Sequence, residues 1–248
     1  MLFTPDTRVV SGQPRSKFDG LTSTSEIDVG RVRTFWRTVE RIGAGASIAP
    51  GPKGSRRQIV VVSGWVVEMQ LLQDGRRQIF GFFLPGDVAN AGPAPYAGGR
   101  GLMAVTNVEV ADTTALTQGG QGDQLAAALN DAARQRQERL FDHIVRIGRL
   151  TARERMLNLL LELHDRLQAV GLVRDNTFRI PLTQEMFADA LGLSVVHINR
   201  TLQQLRREGL LTVGRGTVTL RQREKLAALA CYQPEGQPSS DALARMSA

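Results

Sequence analysis

The chain of 248 residues contains one cysteine, Cys231, and three histidines. A single thiol cannot form a disulfide within the chain, and it cannot supply the several thiolates that an iron–sulfur cluster requires. We therefore expect a protein of a reducing compartment that has no cysteine-ligated metal, and we predict no cofactor.

Long apolar runs are missing as well. The first twenty residues, MLFTPDTRVVSGQPRSKFDG, contain no uninterrupted apolar stretch, and no window approaches the roughly 18 apolar residues that a membrane span needs. We expect a cytoplasmic protein that has no membrane partner.

The sequence also lacks common catalytic motifs. We find no nucleophile elbow, phosphate-binding glycine–lysine loop, paired-histidine metal motif or dinucleotide fingerprint. The carboxylates lie mainly on predicted helices among basic residues, as in solvated helix faces. What the chain has is positive charge, with 31 Lys and Arg against 24 Asp and Glu and a net charge of +7. This excess favours a polyanionic partner such as nucleic acid, so we expect a binding protein and not an enzyme.

Composition divides the chain into five segments, and its length allows two domains with real cores. The ends, 1–23 and 232–248, are rich in small and polar residues and are predicted to be flexible. Between them lie a β domain at 24–122, a long helix at 123–149 and a second domain at 150–231.

The β domain is predicted to begin with a helix, Glu26–Ile42, because its apolar residues recur at three- and four-residue spacings. Strands then follow between turn formers: SIA near Ser47, Arg57–Leu72, Arg76–Leu84 and Gly101–Leu116. Asp74-Gly75 predicts a hairpin, and the pattern favours a sandwich, roll or barrel. The Gly- and Pro-rich segment 89–100 is predicted to be irregular, as a binding loop or a disordered one.

The segment Asp123–Arg149 is predicted to form one helix of about 40 Å. Its stripe at three- and four-residue steps is the predicted dimerisation surface: Leu125, Leu129, Ala132, Arg136, Leu140, His143 and Ile147. A helix longer than a small domain needs favours a homodimer. The alternative is a helix that packs on its own β domain.

A capping box at Thr151 and Glu154 predicts a new helix that runs to about Val170, which leaves Gly148–Leu150 as a hinge. Further on, Thr183 caps a short helix that ends at Leu191, Gly192 supplies a tight turn, and Ser194 caps a second helix that runs to Glu208. The helices share a predicted apolar core: Phe187, Leu191, Leu193, Ile198, Leu202 and Leu205. A hairpin around Gly214-Arg215-Gly216 completes a winged helix-turn-helix.

From about Ala46 to Ala230 the chain resembles the Crp/Fnr family of bacterial transcription regulators. The segments SGWV, DGRRQI and LPGD resemble the hairpins of that family's cyclic-nucleotide-binding-type β-roll, and IPLTQEMFADALGLSVVHINRTLQQLRREGLL resembles its DNA-binding domain. The resemblance implies an α+β fold with a β-roll of the jelly-roll type, a dimerisation helix and a winged helix-turn-helix. It also implies a homodimer on a palindromic operator in double-stranded DNA, with RNA polymerase as a candidate partner.

Four residues of the second helix are predicted to read bases, because they share the face opposite its apolar stripe: Val196, Asn199, Arg200 and Gln203. Arg200 can bind both acceptors of guanine, and its position matches the family's base-reading arginine. Well-known members have glutamate where this chain has Val196, so the operator is expected to differ, with a thymine methyl in contact with Val196.

Four other residues are predicted to contact phosphates: Thr183, Ser194, His197 and Arg215. For each of them, as for Asn199 and Arg200, the alternative is a helix cap or a solvated side chain. The sequence alone therefore does not decide between DNA contact and these simpler roles.

The sequence after Asp87 does not indicate which signal the β-roll detects. A roll that binds a cyclic phosphate has Gly-Glu and then Arg-Ser/Thr-Ala, whereas VANAGPAPYAGGRGLMA has no glutamate and offers only Arg100. We therefore expect no cyclic AMP binding, and Arg100 is a weak effector candidate. Haem ligation is not expected, since the histidines lie outside the β domain. His143 could sense pH or a ligand; the alternative, which the pattern favours, is a seam or surface histidine without such a role.

The predicted function is a sequence-specific transcription regulator. The alternative is a constitutive architectural protein whose β-roll is purely structural. A regulator should prefer its palindrome by roughly a thousandfold over random DNA, and an architectural protein should prefer it far less.

Overall fold

The computed structural model describes residues 39–92, 100–114 and 123–234. A β-rich unit comes first, a long helix follows, and a helical unit with a small sheet ends the described chain. The predicted α+β class and its order of elements are confirmed. In these ranges no helix has the length and apolar character that a bilayer span requires.

Eight strands form the first unit: β1 Val39–Ile42, β2 Ser47–Ile48, β3 Arg57–Ser63, β4 Val66–Leu71, β5 Arg77–Phe83, β6 Val88–Ala91, β7 Arg100–Ala104 and β8 Val108–Asp112. They make two four-stranded sheets, β1-β8-β3-β6 and β2-β7-β4-β5, whose pairings are antiparallel. Buried residues of both sheets, such as Ile59 and Val66, share one apolar cluster. The two sheets therefore enclose the core of a β-roll.

Three expectations for this unit need correction. Residues Val39–Ile42 form β1, paired with β8, and not the end of a helix; the rest of the predicted helix lies outside the described residues. Residues Val88–Ala91 form β6, although 89–100 was predicted to be irregular. The segment Gly101–Leu116 is split at Thr106, whose hydroxyl accepts a hydrogen bond from the Trp65 amide.

The first helix, α1, spans Asp123–Arg149 as predicted. The second, α2, spans Ala152–Ala169 and begins with the predicted capping box. There the Thr151 amide donates to Glu154 over 2.7 Å, and the Glu154 amide donates to the Thr151 hydroxyl. Because reciprocal capping fixes a helix start, Leu150 becomes the break between the two helices.

The remaining elements form the winged helix-turn-helix: β9 Val173–Arg174, β10 Thr177–Arg179, α3 Gln184–Leu191, α4 Val195–Arg207, β11 Leu211–Gly214, β12 Thr217–Leu220 and α5 Arg223–Leu229. Their sheet has the order β11-β12-β10-β9. Helix α5 was not predicted, because its N-cap, Gln222, makes no side-chain cap bond and is left-handed.

One apolar cluster joins the two units. It includes Phe187, Ile198 and Leu202 of the helix-turn-helix, and also Trp65 and Phe82 of the β-roll. The helix-turn-helix unit is therefore docked on the roll of its own chain.

Candidate nucleic-acid interface

The turn between α3 and α4 has the backbone that a helix-turn-helix needs. Gly192 is left-handed, with φ of 63° and ψ of 39°, a conformation that costs a residue with a Cβ free energy. The Leu193 amide donates to the Ala188 carbonyl over 3.2 Å, where the small side chain allows the close approach. The turn thus directs α4 away from α3.

Helix α4 divides its residues between the core and solvent. Ile198, Leu202 and Leu205 have no exposed surface. On the opposite face Val196 is 68% exposed, Arg200 and Gln203 are exposed, and Asn199 is partly buried. The predicted base-reading residues therefore lie on one outward face.

The side chains of Arg200 and Asn199 make no hydrogen bond or ion pair within the described ranges. A guanidinium has five N–H donors and needs acceptors. On an exposed helix face, those of Arg200 are available to an external ligand.

The predicted phosphate contacts fall into two kinds. The Thr183 and Ser194 hydroxyls are caps that accept from the Met186 and His197 amides, each over 3.2 Å. A hydroxyl that accepts in this way still has its own proton to donate. His197 and Arg215 are exposed, and Arg215 lies in the turn of the wing with φ of 49°.

Arg155 is a residue that the sequence analysis missed. Its Nε donates to the Leu150 carbonyl over 2.8 Å, and its Nη1 donates to the Leu191 carbonyl over 3.0 Å. One side chain thus joins the break after α1 to the end of α3. Nothing local to Arg155 signals this contact, since Leu191 lies 36 residues further along the chain.

Part of the predicted dimerisation stripe contacts the chain's own β-roll, while its role in a dimer stays a prediction. Arg136 pairs with Glu68 and lies 5.4 Å from the Phe83 ring centroid, and His143 is only 5% exposed. Within the predicted stripe, Ala132, Leu140 and Ile147 are half-buried; the side chains of Leu125 and Leu129 lie outside the description. This face of α1 packs on its own β-roll.

A different face of α1 is left open to solvent. Phe141, Ile144 and Val145 are 57%, 59% and 54% exposed, and they stand at the three- and four-residue steps of one helix stripe. Such a contiguous apolar stripe on a surface helix marks an interaction site.

Arg100, the weak effector candidate, pairs with Glu68 while about half of its side chain stays exposed, at 48%. Its Nε lies 3.1 Å from Glu68 Oε1, and the other oxygen of Glu68 binds Arg136. The carboxylate therefore ties the arginine of β7 to α1. No group of three or more potential metal ligands occurs in the described part of the chain.

A buried chain of charges lies where the β-roll meets α1 and α2. Arg166 donates to Asp87 Oδ2 over 2.5 Å and to Glu162 Oε1 over 2.8 Å, and Arg146 binds Glu162 Oε2 over 2.5 Å. Burial would raise the pKa of Glu162, but Arg146 and Arg166 outweigh it and lower this pKa to about 2. Asp87 and Glu162 are therefore buried, whereas the sequence analysis predicted that the carboxylates lie mainly on solvated helix faces.

Another ion pair joins the β-roll to the helix-turn-helix. Arg77 at the start of β5 lies 2.8 Å from Asp189 of α3. Burial is the largest influence on Asp189 and raises its pKa, although Arg77 acts in the opposite direction.

Known proteins are similar to this chain over most of its length. The Crp-like helix-turn-helix domain matches residues 154–229. The nitrogen fixation regulation protein FixK of Bradyrhizobium diazoefficiens is 29% identical over 210 residues, which cover 83% of this chain and 88% of that protein. FixK of Azorhizobium caulinodans is 31% identical over 173 residues, which cover 68% and 70%.

The solved structure of FixK2 from Bradyrhizobium japonicum is also similar. It matches with a TM-score of 0.67 and 28% identity, over 79% of this chain and 98% of that chain. A β-roll, a long helix and an exposed recognition helix in a winged helix-turn-helix define a DNA-binding transcription regulator. The chain belongs to the Crp/Fnr family of these regulators.

Proposed function

We propose that this regulator binds a palindromic operator as a homodimer and reads each half-site with α4. The observation that supports this most directly is the outward face of α4, where Arg200 and Gln203 are exposed above a fully buried apolar face. Segments 24–122, 123–149 and 150–231 then act as the sensor, dimerisation and DNA-binding units.

The stripe of Phe141, Ile144 and Val145 is the proposed centre of the dimer. Two copies of α1 that meet along this stripe would cover apolar side chains that are more than half exposed in one chain. A two-fold axis along α1 would place two copies of α4 on one face of the DNA, and half-sites one helical turn apart require a separation of about 34 Å.

Each base-reading residue has a distinct role. Arg200 donates to O6 and N7 of a guanine, and Val196 contacts a thymine methyl. Asn199 and Gln203 offer amides that pair with adenine or a phosphate. Because valine cannot accept from cytosine as glutamate does, the preferred operator differs from that of family members with glutamate at this position.

Phosphate contacts fix the register of α4 in the groove. Ser194 and Thr183 lie at helix N-termini, where backbone amides favour an anion. His197 beside them and Arg215 in the wing add donors, and these contacts position the protein without reading sequence.

A cyclic nucleotide is not the proposed effector. Arg100 is paired with Glu68, and a cyclic phosphate would have to displace that carboxylate. Contact with RNA polymerase stays a prediction from the family resemblance.

The test is selection of binding sites from random DNA by the full-length protein, followed by competition at fixed salt. We expect one palindrome with half-sites a helical turn apart, preferred by roughly a thousandfold or more over random DNA. A preference of only a few fold would instead support the architectural protein. Genome-wide mapping of bound sites then identifies the regulated genes.

Dimerisation is tested separately by Phe141→Glu, which places a charge in the exposed stripe. Sedimentation should show a monomer that is folded by circular dichroism. Asp142 is also exposed on α1, but it lies about 100° around the helix from Phe141 and so outside the stripe. Asp142→Asn therefore serves as the control and should stay dimeric. A dimeric Phe141→Glu variant would exclude this stripe as the interface.

A further inference from the structure

Strand β5 of the roll carries the winged helix-turn-helix unit. It is the edge strand of its sheet, whose order is β2-β7-β4-β5, so among the described strands one side of its backbone has no strand partner. Proteins usually cover such an edge with another element. Here α3 contacts β5, and Arg166 of α2 donates to the Phe82 carbonyl over 2.7 Å.

Two ion pairs attach the unit near opposite ends of β5. Arg77, the first residue of the strand, lies 2.8 Å from Asp189 of α3. At the other end Arg166, which bonds Phe82, also donates to Asp87 over 2.5 Å. A strand rises about 3.3 Å per residue, so Arg77 and Phe82 stand roughly 15 Å apart. Two attachments at this distance fix an orientation, whereas a single one would leave the unit able to pivot.

The two attachments differ in their exposure to solvent. Arg166 and Asp87 are 5% and 2% exposed, whereas Arg77 and Asp189 are 32% and 21% exposed. Water and salt screen a partly exposed pair, whereas breaking a buried pair leaves an uncompensated charge in the interior. The contact between Arg77 and Asp189 is therefore the one that opens more easily.

Asp189 depends on Arg77 for the compensation of its charge. Oδ2 of Asp189 is buried and, apart from the contact with Arg77, has no hydrogen-bond partner in the described ranges. Glu185, one turn earlier on α3, adds a second negative charge nearby. Because a buried charge without a partner is costly, removal of the Arg77 guanidinium favours exposure of Asp189 to water and separation of α3 from β5.

Helix α3 would not separate alone. The Arg155 side chain of α2 donates to the Leu191 carbonyl at the end of α3 over 3.0 Å, and Arg153 of α2 lies 2.6 Å from Glu208, the C-cap of α4. The three helices also share one apolar cluster. They therefore move as one body, and loss of the contact at Arg77 lets this body pivot about the attachment at the other end of β5.

The docked position is compatible with DNA binding. Helices α2 and α3 contact the roll, while on α4 Val196 stays 68% exposed and Arg200 is also exposed. Docking thus presents the reading face of α4 in a fixed direction and does not block this face.

We propose that Arg77 and Asp189 form a latch that sets the angle of the winged helix-turn-helix unit on the roll. In the homodimer, this angle fixes the distance between the two copies of α4, and hence the half-site spacing that the protein accepts. Both are positioning residues, since they act by holding two units together and not by contacting bases. The role in spacing rests on the proposed function, whereas the docking contact itself does not.

The test measures affinity, at fixed salt, for a series of palindromes whose half-sites are moved together or apart by one or two base pairs. For the wild-type protein, affinity should fall steeply on either side of one spacing. In Arg77→Gln it should be lower by roughly tenfold at the optimal spacing and should depend much less on spacing. An equal loss at every spacing, or a gain in affinity, would overturn the proposal.

Asp189→Asn and the double variant separate a latch from two independent contacts. Asp189→Asn leaves Arg77 partly hydrated, so its loss at the optimal spacing should be smaller than that of Arg77→Gln. In the double variant neither charge of the pair remains, and the loss should be no larger than in Arg77→Gln alone. Losses that add would show that the two residues act separately, and they would refute the latch.

Asp74→Asn is the matched control. Asp74 belongs to the same hairpin and pairs with Arg76, but both of these side chains are more than half exposed. Asparagine is also well accepted in a hairpin turn before glycine. This variant should keep the affinity and the spacing preference of the wild-type protein. A change as large as that in Arg77→Gln would mean that any charge change in the hairpin has this effect, contrary to a specific latch.

A measurement without DNA tests the docking contact directly. Hydrogen exchange of the full-length chain, followed by mass spectrometry, should show faster exchange of β5 in Arg77→Gln than in the wild-type protein or in Asp74→Asn, because the strand edge becomes exposed. Equal exchange in all three proteins would refute the docking role of Arg77.

The two proposals fail in different ways. A wild-type protein that prefers no palindrome, together with faster exchange of β5 in Arg77→Gln, would refute the proposed function and leave the docking contact intact. A wild-type protein that prefers one spacing, together with an Arg77→Gln variant of the same spacing preference, would refute the latch alone.

Discussion

The core of the helix-turn-helix is apolar, whereas its junction with the β-roll combines apolar contacts with buried charge. Phe187, Ile198, Leu202 and Leu205 fill the first with hydrocarbon and have no exposed surface. In the second, Trp65 and Phe82 belong to the shared apolar cluster, and the buried charges of Asp87, Glu162, Arg146 and Arg166 are added to it. Apolar groups tolerate small shifts, whereas buried ions depend on particular partners. We therefore expect the loss of one ionic partner to affect the docking of the DNA-binding unit on the roll more than the fold of that unit.

The largest expected effect is at the centre of the ion chain. Glu162→Gln leaves Arg146 and Arg166 buried beside a neutral amide, and this should lower the free energy of unfolding by about 3–5 kcal/mol. Denaturant titration measures the change. Glu138→Gln is the matched control, because its pair with Arg134 is solvent-exposed, and such a pair contributes less than about 1 kcal/mol. Equal losses in both variants would remove the distinction between the junction and the surface.

The junction should also respond to pH in a definite window. Because folding lowers the pKa of His143 from 6.5 to about 4, the unfolded chain takes up this proton first as the pH falls. Stability is therefore lost between pH 6.5 and 4, by about 3 kcal/mol for this group.

The measurement compares wild-type protein and His143→Phe by denaturant titration at several pH values. The variant should lack this part of the loss, while both proteins share the contributions of the carboxylates. The charged groups near His143 are Arg136, Arg146 and Glu162, and the low pKa of Glu162 keeps it ionised through the window. Parallel curves for the two proteins would contradict the expectation.

On the recognition helix, Arg200→Ala should change DNA discrimination and leave the fold intact. Loss of one bidentate guanine contact is worth about 1–3 kcal/mol of preference at one base pair. Competition between the palindrome and a copy with that base pair exchanged measures the effect. Arg207→Ala, at the end of α4, should weaken binding to both DNAs by the same factor. Full discrimination by Arg200→Ala would exclude Arg200 as the reader.

The smallest expected effect concerns the cap of α4. Ser194→Ala removes the acceptor of the His197 amide and should cost about 1 kcal/mol of stability, whereas Ser194→Asn retains a capping acceptor. Chemical denaturation should place the asparagine variant close to the wild-type protein. A loss of stability as large with asparagine as with alanine would argue against the capping role.

The same contrast explains what could be predicted from sequence. The helix-turn-helix was predicted to within a residue or two, because its determinants are local: caps at Thr183 and Ser194, a glycine turn, and apolar residues at helical spacing. The outward face of α4 follows directly from that spacing.

Features that depend on contacts between residues far apart in the sequence were not predicted from local patterns. Helix α1 carries apolar residues on two faces, and sequence alone did not show that Arg136 pairs with Glu68 of the β-roll or that His143 is buried. Segment Val39–Ile42 is a strand because β8, some 70 residues later, offers it a partner. Glu162 and Arg166 are readable as a helical ion pair, but their burial depends on Asp87, which lies 79 residues before Arg166.

The side chain of Arg155 limits how the two units can move. It bonds the carbonyl at the break after α1 and the carbonyl at the end of α3, so it works as a brace across the joint. A rotation about residues 148–150 must either move the helix-turn-helix rigidly with α2 or break the bond from Arg155 to Leu191. In the proposed dimer, the angle at that joint would set the distance between the two copies of α4.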